Sequence, residues 1–134
     1  MSLLETCTSV AIVSAVVFFA APSLIRARDN YQLDQTTRQV AGQMQWTRIK
    51  AISRDQDCRL RVISTTSYVI ECKASVWLAD ETVTLPRGFQ ITASATPQFH
   101  KRGNASPAAT ITIWDRHSNS KSVVVNITGR VRVE

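Results

Sequence analysis

The residues of this chain that could do chemistry are few and unevenly placed. Glu5 stands just before twenty residues without a charge, Thr6 to Ile25, in MSLLETCTSVAIVSAVVFFAAPSLI. Arg130 and Arg132 alternate with valines in the closing GRVRVE. Cys58 and Cys72 bracket CRLRVISTTSYVIEC and are symmetric about Thr65. Two histidines, His100 and His117, and the pair Asp55 and Asp57 complete the set. These residue types offer four kinds of chemistry: an ion pair in apolar surroundings, anion binding, a disulfide, and cation ligation.

Catalysis finds little support. No GxSxG, HExxH, Walker or Rossmann pattern occurs, and neither histidine has a nucleophile motif around it. Two histidines without spaced cysteines make no zinc site, so both read as loop or surface residues. Asp55 and Asp57 lack the further oxygen ligands that calcium requires. The expectation is a non-enzyme with no cofactor and no metal.

Glu5 admits three readings. A cleaved signal peptide opens with basic residues before its apolar core, whereas the first basic residue here is Arg26. A plain membrane anchor has the length, since twenty helical residues span roughly 30 Å, but a bare carboxylate beside it is costly. In the third reading the carboxylate has a partner from elsewhere, and the α-amino group of a neighbouring chain is the natural cation. Pro22 lies late in the same segment. It removes one backbone donor and crowds the carbonyl of Phe18, and the β-branched valines nearby weaken the helix slightly. A kink or local unwinding is expected between Ser14 and Ser23.

The formal charge is +6, and the excess is concentrated at the end: residues 100–134 hold six basic and two acidic side chains. Such an excess favours anionic partners. In an extended strand Arg130 and Arg132 share one face, roughly 7 Å apart, with Val131 and Val133 inward. That spacing is close to that of successive phosphates on one nucleic-acid strand, and guanidinium forks suit phosphate oxygens. Lys101, Arg102 and Lys121 could widen the patch. The alternative is a solvated strand whose arginines keep an edge soluble.

The cysteine symmetry predicts a hairpin in which Cys58 and Cys72 oppose each other, near 4.5 Å between Cα atoms at a non-hydrogen-bonded pair. That is within disulfide range and implies an oxidising compartment. Two buried thiols in a cytosolic sheet are the alternative.

The elements that must position these residues follow from periodicity. The chain's 134 residues suit one domain with a modest core. Residues 24–56 read as helix, with Leu33, Val40, Met44, Ile49 and Ile52 near a 3.6 period and helical character fading near DQDC. After Cys58 the pattern alternates. CRLRVIS and SYVIEC form a hairpin, ETVTLPRGFQITAS is strand, turn at Pro86–Gly88, strand, and ATITIW and KSVVVNITGRVRVE are further strands. KRGNASP is a loop. The expectation is a long helix on an antiparallel sheet of about six or seven strands.

MSLLE before an apolar helix resembles the mature start of a type IV pilin or pseudopilin, usually FTLIE, with Met in place of the usual Phe. Pro22 is similar to a proline that pilins carry in this helix. TVTLPRGFQIT, FHKRGNASPAATITI and VVVNITGRVRVE resemble the GspH/FimT-like branch, with its Leu-Pro-x-Gly turn, Phe-x-x-x-Gly segment and terminal Gly-Arg-x-Arg. Together they cover nearly the whole chain.

The resemblance implies an α+β, type IV pilin-like fold. Residues 1–25 would be the hydrophobic helix of the membrane or filament core, and residues 26–134 the head, including the second half of the helix and the β-sheet. It implies processing by a prepilin peptidase, methylation of the Met1 amine, and pairing of Glu5 with that amine on an adjacent subunit. It implies insertion in the inner membrane, then extracellular assembly with other copies by pilus machinery. Two alternatives stay open: a minor tip pilin that binds DNA through Arg130 and Arg132 during natural transformation, and a type II secretion pseudopilin.

Overall fold

A computed structural model describes residues 2–134 of the chain. The Met1 amine therefore lies outside the described residues. One helix and nine strands follow in order: α1 (Leu3–Ser53), β1 (Cys58–Ser64), β2 (Ser67–Lys73), β3 (Trp77–Thr84), β4 (Gln90–Ala93), β5 (Gln98–Phe99), β6 (Ala105–Ser106), β7 (Ala109–Trp114), β8 (Ser120–Val125) and β9 (Val131–Val133). The chain divides into two compact units, one ending at Gln32 and the other running from Leu33 to Glu134.

The first unit is helix alone. Ser2 caps it, its Oγ and carbonyl accepting from the amide of Glu5. The hydroxyls that interrupt the apolar run turn back onto the helix: Thr6 donates to the Leu3 carbonyl at 2.9 Å, Thr8 and Ser9 to that of Glu5 at 2.9 and 2.8 Å, and Ser14 to that of Val10 at 2.8 Å. These polar groups are satisfied without water, as an apolar setting requires.

The helix passes through Pro22 uninterrupted, so of the kink or unwinding expected between Ser14 and Ser23 the unwinding does not occur. Proline deletes a single donor, and the bonds on either side hold the helical state.

In the second unit α1 buries Leu33, Thr36, Thr37, Val40, Ala41, Met44, Thr47 and Ala51. The buried Thr37 hydroxyl donates to the Leu33 carbonyl at 2.8 Å, and that of Thr47 to the Gln43 carbonyl at 2.7 Å. The expected apolar face holds at Leu33, Val40 and Met44 but not at Ile49 and Ile52, which are about half exposed (52% and 49%). Small residues continue the stripe instead. Thr47 and Ala51 keep the 3- and 4-residue steps from Met44, whereas Ile49 and Ile52 fall off that line.

The helix stops in a Schellman arrangement. Asp55 takes a left-handed φ of 51°, and Gln56 N–H bonds the Ala51 carbonyl at 3.1 Å. Asp55 is thus a helix stop.

All strand pairings are antiparallel. Instead of one sheet of six or seven strands there are two, ordered β3-β2-β1-β5-β6 and β4-β7-β8-β9. The turn after Leu85, with Gly88 at φ 87°, sends β4 to pair with β7 and leaves β3 beside β2. The core between helix and sheets holds Val40, Met44, Leu60, Tyr68, Ile70, Ile91, Phe99, Ile111, Ile113, Val123 and Val125. Cys58 and Cys72 are register partners, 4.1 Å apart between Cα atoms, and are disulfide-bonded.

Candidate functional site

Two surfaces carry the residues singled out by sequence. The first is the N-terminal helix. Every described side chain from Leu3 to Ile25 is exposed, including Phe18 at 77% and Phe19 at 79%. The segment is long and apolar enough to cross a membrane. Glu5 projects from its first turn, exposed, and makes no ion pair among the described residues. A carboxylate in that position is stable beside water or beside a cation, and it becomes costly once the helix around it is covered.

The second surface is the outer face of the β4-β7-β8-β9 sheet. The register pairs Val125 with Val131 and Val124 with Arg132, and Asn126 N–H bonds the Arg130 carbonyl at 3.0 Å. Val123 and Val125 are buried and Val131 packs on the core, so Arg130 and Arg132 share the opposite face. They border a shallow groove with Ala108, Val124, Asn126 and Glu134. Glu134 contributes a negative charge there and weakens the pair's field.

Why this strand starts where it does is a matter of packing. Gly129 has φ 80°, and a Cβ there would lie 1.9 Å from the carbonyl oxygen of Gly103. Gly103 itself has φ 89°, and its carbonyl accepts from Arg48 Nε at 2.8 Å. Two turns, Phe99–Gly103 and Asn126–Gly129, therefore meet backbone to backbone beneath a guanidinium from α1. The glycines of the Phe-x-x-x-Gly and Gly-Arg-x-Arg segments are the two halves of this contact.

Lys121 does not share the face of Arg130 and Arg132. Lys121 points to the core side of β8, where its Nζ donates to Asp34 Oδ1 at 2.7 Å. That bond, with the Arg38 guanidinium on Oδ2, holds the Asp34 carboxyl below the usual range. Lys101, 3.8 Å from Asp55, and Arg102 lie on the β5–β6 turn, which meets the Asn126–Gly129 turn just before Arg130. The histidines serve structure. His100 Nδ1 is 3.2 Å from Asp57 Oδ1, whose other oxygen accepts from Gln98, and the His117 amide donates to Asp115. No His, Cys, Asp and Glu cluster able to hold a metal occurs among the described residues.

Three charged groupings escaped the sequence reading. Glu71 is buried on β2 and receives Arg59 at 2.7 Å and Arg61 at 2.8 Å, which hold its carboxyl low. Arg59 also lies 4.1 Å from the Trp77 ring centre. Asp80 is bonded by Lys50 and Arg54. Asp115 closes the β7–β8 turn by accepting from the amides of His117 and Asn119, each at 2.8 Å. The Glu71 bridge was legible in principle, because the hairpin symmetry about Thr65 puts residue 59 opposite 71.

No family sequence model matches the chain, and no curated protein matches it in sequence. Solved structures do match. The minor pseudopilin EpsH of the Vibrio cholerae type 2 secretion system superposes with a TM-score of 0.68 at 14% identity, over 77% of this chain and 96% of that one. The Pseudomonas aeruginosa type IV minor pilin FimU superposes with a TM-score of 0.66 at 14% identity, over 78% and 90%. A helix on antiparallel sheets, superposed with these two over 77% and 78% of the chain, gives it the type IV pilin-like fold.

Proposed function

We propose that the chain is a structural subunit of a type IV pilus-like extracellular filament. One observation carries this reading: an uncharged helix, wholly exposed, with a lone carboxylate in its first turn, joined to a pilin-like head. Residues 1–25 sit in the inner membrane before assembly and in the filament core after it, and residues 26–134 form the head. A prepilin peptidase exposes the Met1 amine, and Glu5 of an incoming subunit pairs with that amine on its neighbour. The pair offsets the cost of burying either charge, so it selects correct axial register. The work is binding to other copies, not catalysis. The self-satisfied hydroxyls of Thr6, Thr8, Ser9 and Ser14 support burial of this helix.

The test is Glu5→Ala in the full chain. The expected outcome is loss of the protein from sheared surface filaments while the head keeps its melting transition. Wild-type incorporation by this variant would defeat the ion-pair account.

A second reading, a minor tip pilin that captures DNA, is favoured by Arg130 and Arg132 sharing one outer face with neither in an ion pair among the described residues. Replacing both with Gln is expected to abolish DNA retardation at low salt. Wild-type binding should fall steeply as salt rises, as phosphate contacts dictate. Unchanged retardation removes this reading and leaves the first intact.

A further inference from the structure

Gly42 has no role inside its own chain. It lies mid-helix in α1, exposed, and a Cβ built on it would meet nothing within 4 Å. The other three glycines, Gly88, Gly103 and Gly129, all have positive φ and close neighbours. Gly42 neither supplies an unusual backbone angle nor relieves a contact, yet glycine is one of the least favourable residues for a helix interior.

Its surroundings on the helix surface are unusual too. At the spacing that stacks side chains along one helix face, Gly42 is followed by Gln45, Trp46, Ile49 and Ile52. Trp46 is 50% exposed, Ile49 52% and Ile52 49%. The stripe from Gly42 to Ile52 carries no acid, and the Lys50 ammonium beside it lies 5.7 Å from the Trp46 ring centre and pairs with Asp80. One side of this part of α1 is packed on the head, and on the side bearing Gly42 the large apolar side chains stay about half exposed.

The chain itself contains a segment of matching chemistry. Residues 6–25 carry no charge and are exposed throughout. Within them Ala11 and Ala15, four residues apart, offer the small surface that lets two helices approach closely. Residues 6–25 have no cover in their own chain, and the Gly42–Ile52 stripe has only part of one.

We propose that the Gly42–Trp46–Ile49 face receives the apolar N-terminal helix of a second copy of this chain, with Gly42 at the point of closest approach. Close helix crossings require a residue without a side chain where the axes come nearest, and Trp46 and Ile49 cover the flank of the incoming helix. A glycine that costs the single chain helix stability is then explained by the assembled one. This inference rests on the filament reading and assigns it a docking surface.

The experiment compares Gly42→Ala, Gly42→Leu and Trp46→Ala in the full chain, with melting followed in detergent and incorporation measured in sheared surface filaments. Gly42→Ala is expected to raise the melting midpoint by a few degrees, since alanine favours helix and its Cβ meets nothing. It is expected to lower incorporation on the order of tenfold, with Gly42→Leu lower still and Trp46→Ala reduced. These opposite signs separate the two roles. Wild-type incorporation by all three variants would overturn the docking surface alone. A lower melting midpoint for Gly42→Ala would also overturn it, by showing that the glycine serves its own chain. Absence of the wild-type protein itself from filaments would remove the filament reading and this inference together.

Discussion

The two halves of α1 use their apolar residues in opposite ways. Between Leu33 and Ser53 the buried face is built largely of threonine and alanine, with only Leu33, Val40 and Met44 as larger apolar groups. Between Leu3 and Ile25 the larger apolar groups crowd together, Phe18, Phe19 and Leu24 among them, and none is buried. The greasier half therefore contributes nothing to the core of its own chain. The contrast teaches that hydrophobicity reports a need for cover, not the source of that cover. In the head the sheets provide it, and near the N-terminus no described residue does.

The contrast is sharpest between two phenylalanines. Phe99 is fully buried in the core, so Phe99→Ala is expected to cost the head about 3–5 kcal/mol. Phe18→Ala is expected to leave head unfolding in detergent unchanged. Comparable losses from both, in denaturant titrations of the full chain, would break the division.

Removing the disulfide ranks next. Cys58 and Cys72 close a hairpin at a separation of 14 residues, and Cys58→Ser with Cys72→Ser is expected to cost about 2–4 kcal/mol. Urea unfolding with and without reductant reads this. The helicity of residues 3–25 in detergent should not follow the loss.

The smallest effect is pH dependence, which also belongs to the head. Asp34, Glu71 and Asp80 are held low by hydrogen bonds from Lys121, Arg61 and Lys50 in turn. For Asp115 burial opposes ionisation, but bonds from Asn119 and His117 prevail, and the net direction is downward. A carboxylate with a lowered folded value contributes stability that is complete above its unfolded value, near 4, and lost as pH falls through the folded one. Burial pushes the Tyr68 phenol from 10.0 to about 12, so its contribution is lost as pH rises across that interval. Melting curves should be flat from about pH 5 to 9 and decline on both sides. A midpoint that falls steadily between pH 7 and 5 would contradict these assignments.

The sequence was most informative where period and symmetry coincide with packing. Alternation after Cys58, the mirror placement of Cys58 and Cys72, and Arg130 with Arg132 on one face follow from strand geometry alone. Three features were harder. The division into two sheets depends on a turn at Gly88 that redirects β4, and local pattern does not state a strand's partner. Continuity through Pro22 depends on how much a helix tolerates one missing donor. Lys121 looked like surface charge, yet Asp34, 87 residues away, turns it toward the helix. Such long-range pairings carry no local signature. Gly103 and Gly129 sit between these cases: both were visible as motif glycines, but only their backbone contact, which leaves no room for a Cβ on Gly129, explains them.

Cys7 provides the most direct test of where the N-terminal helix goes. It is exposed in the single chain and is the only thiol, because Cys58 and Cys72 are bonded to each other. A maleimide reagent applied to intact sheared filaments, and to the same material dispersed in detergent, reads its cover. Protection in the filament and full labelling after dispersal is the predicted result. Equal labelling in both states would show that residues 3–25 stay accessible after assembly, and would contradict the assignment of this helix to the filament core.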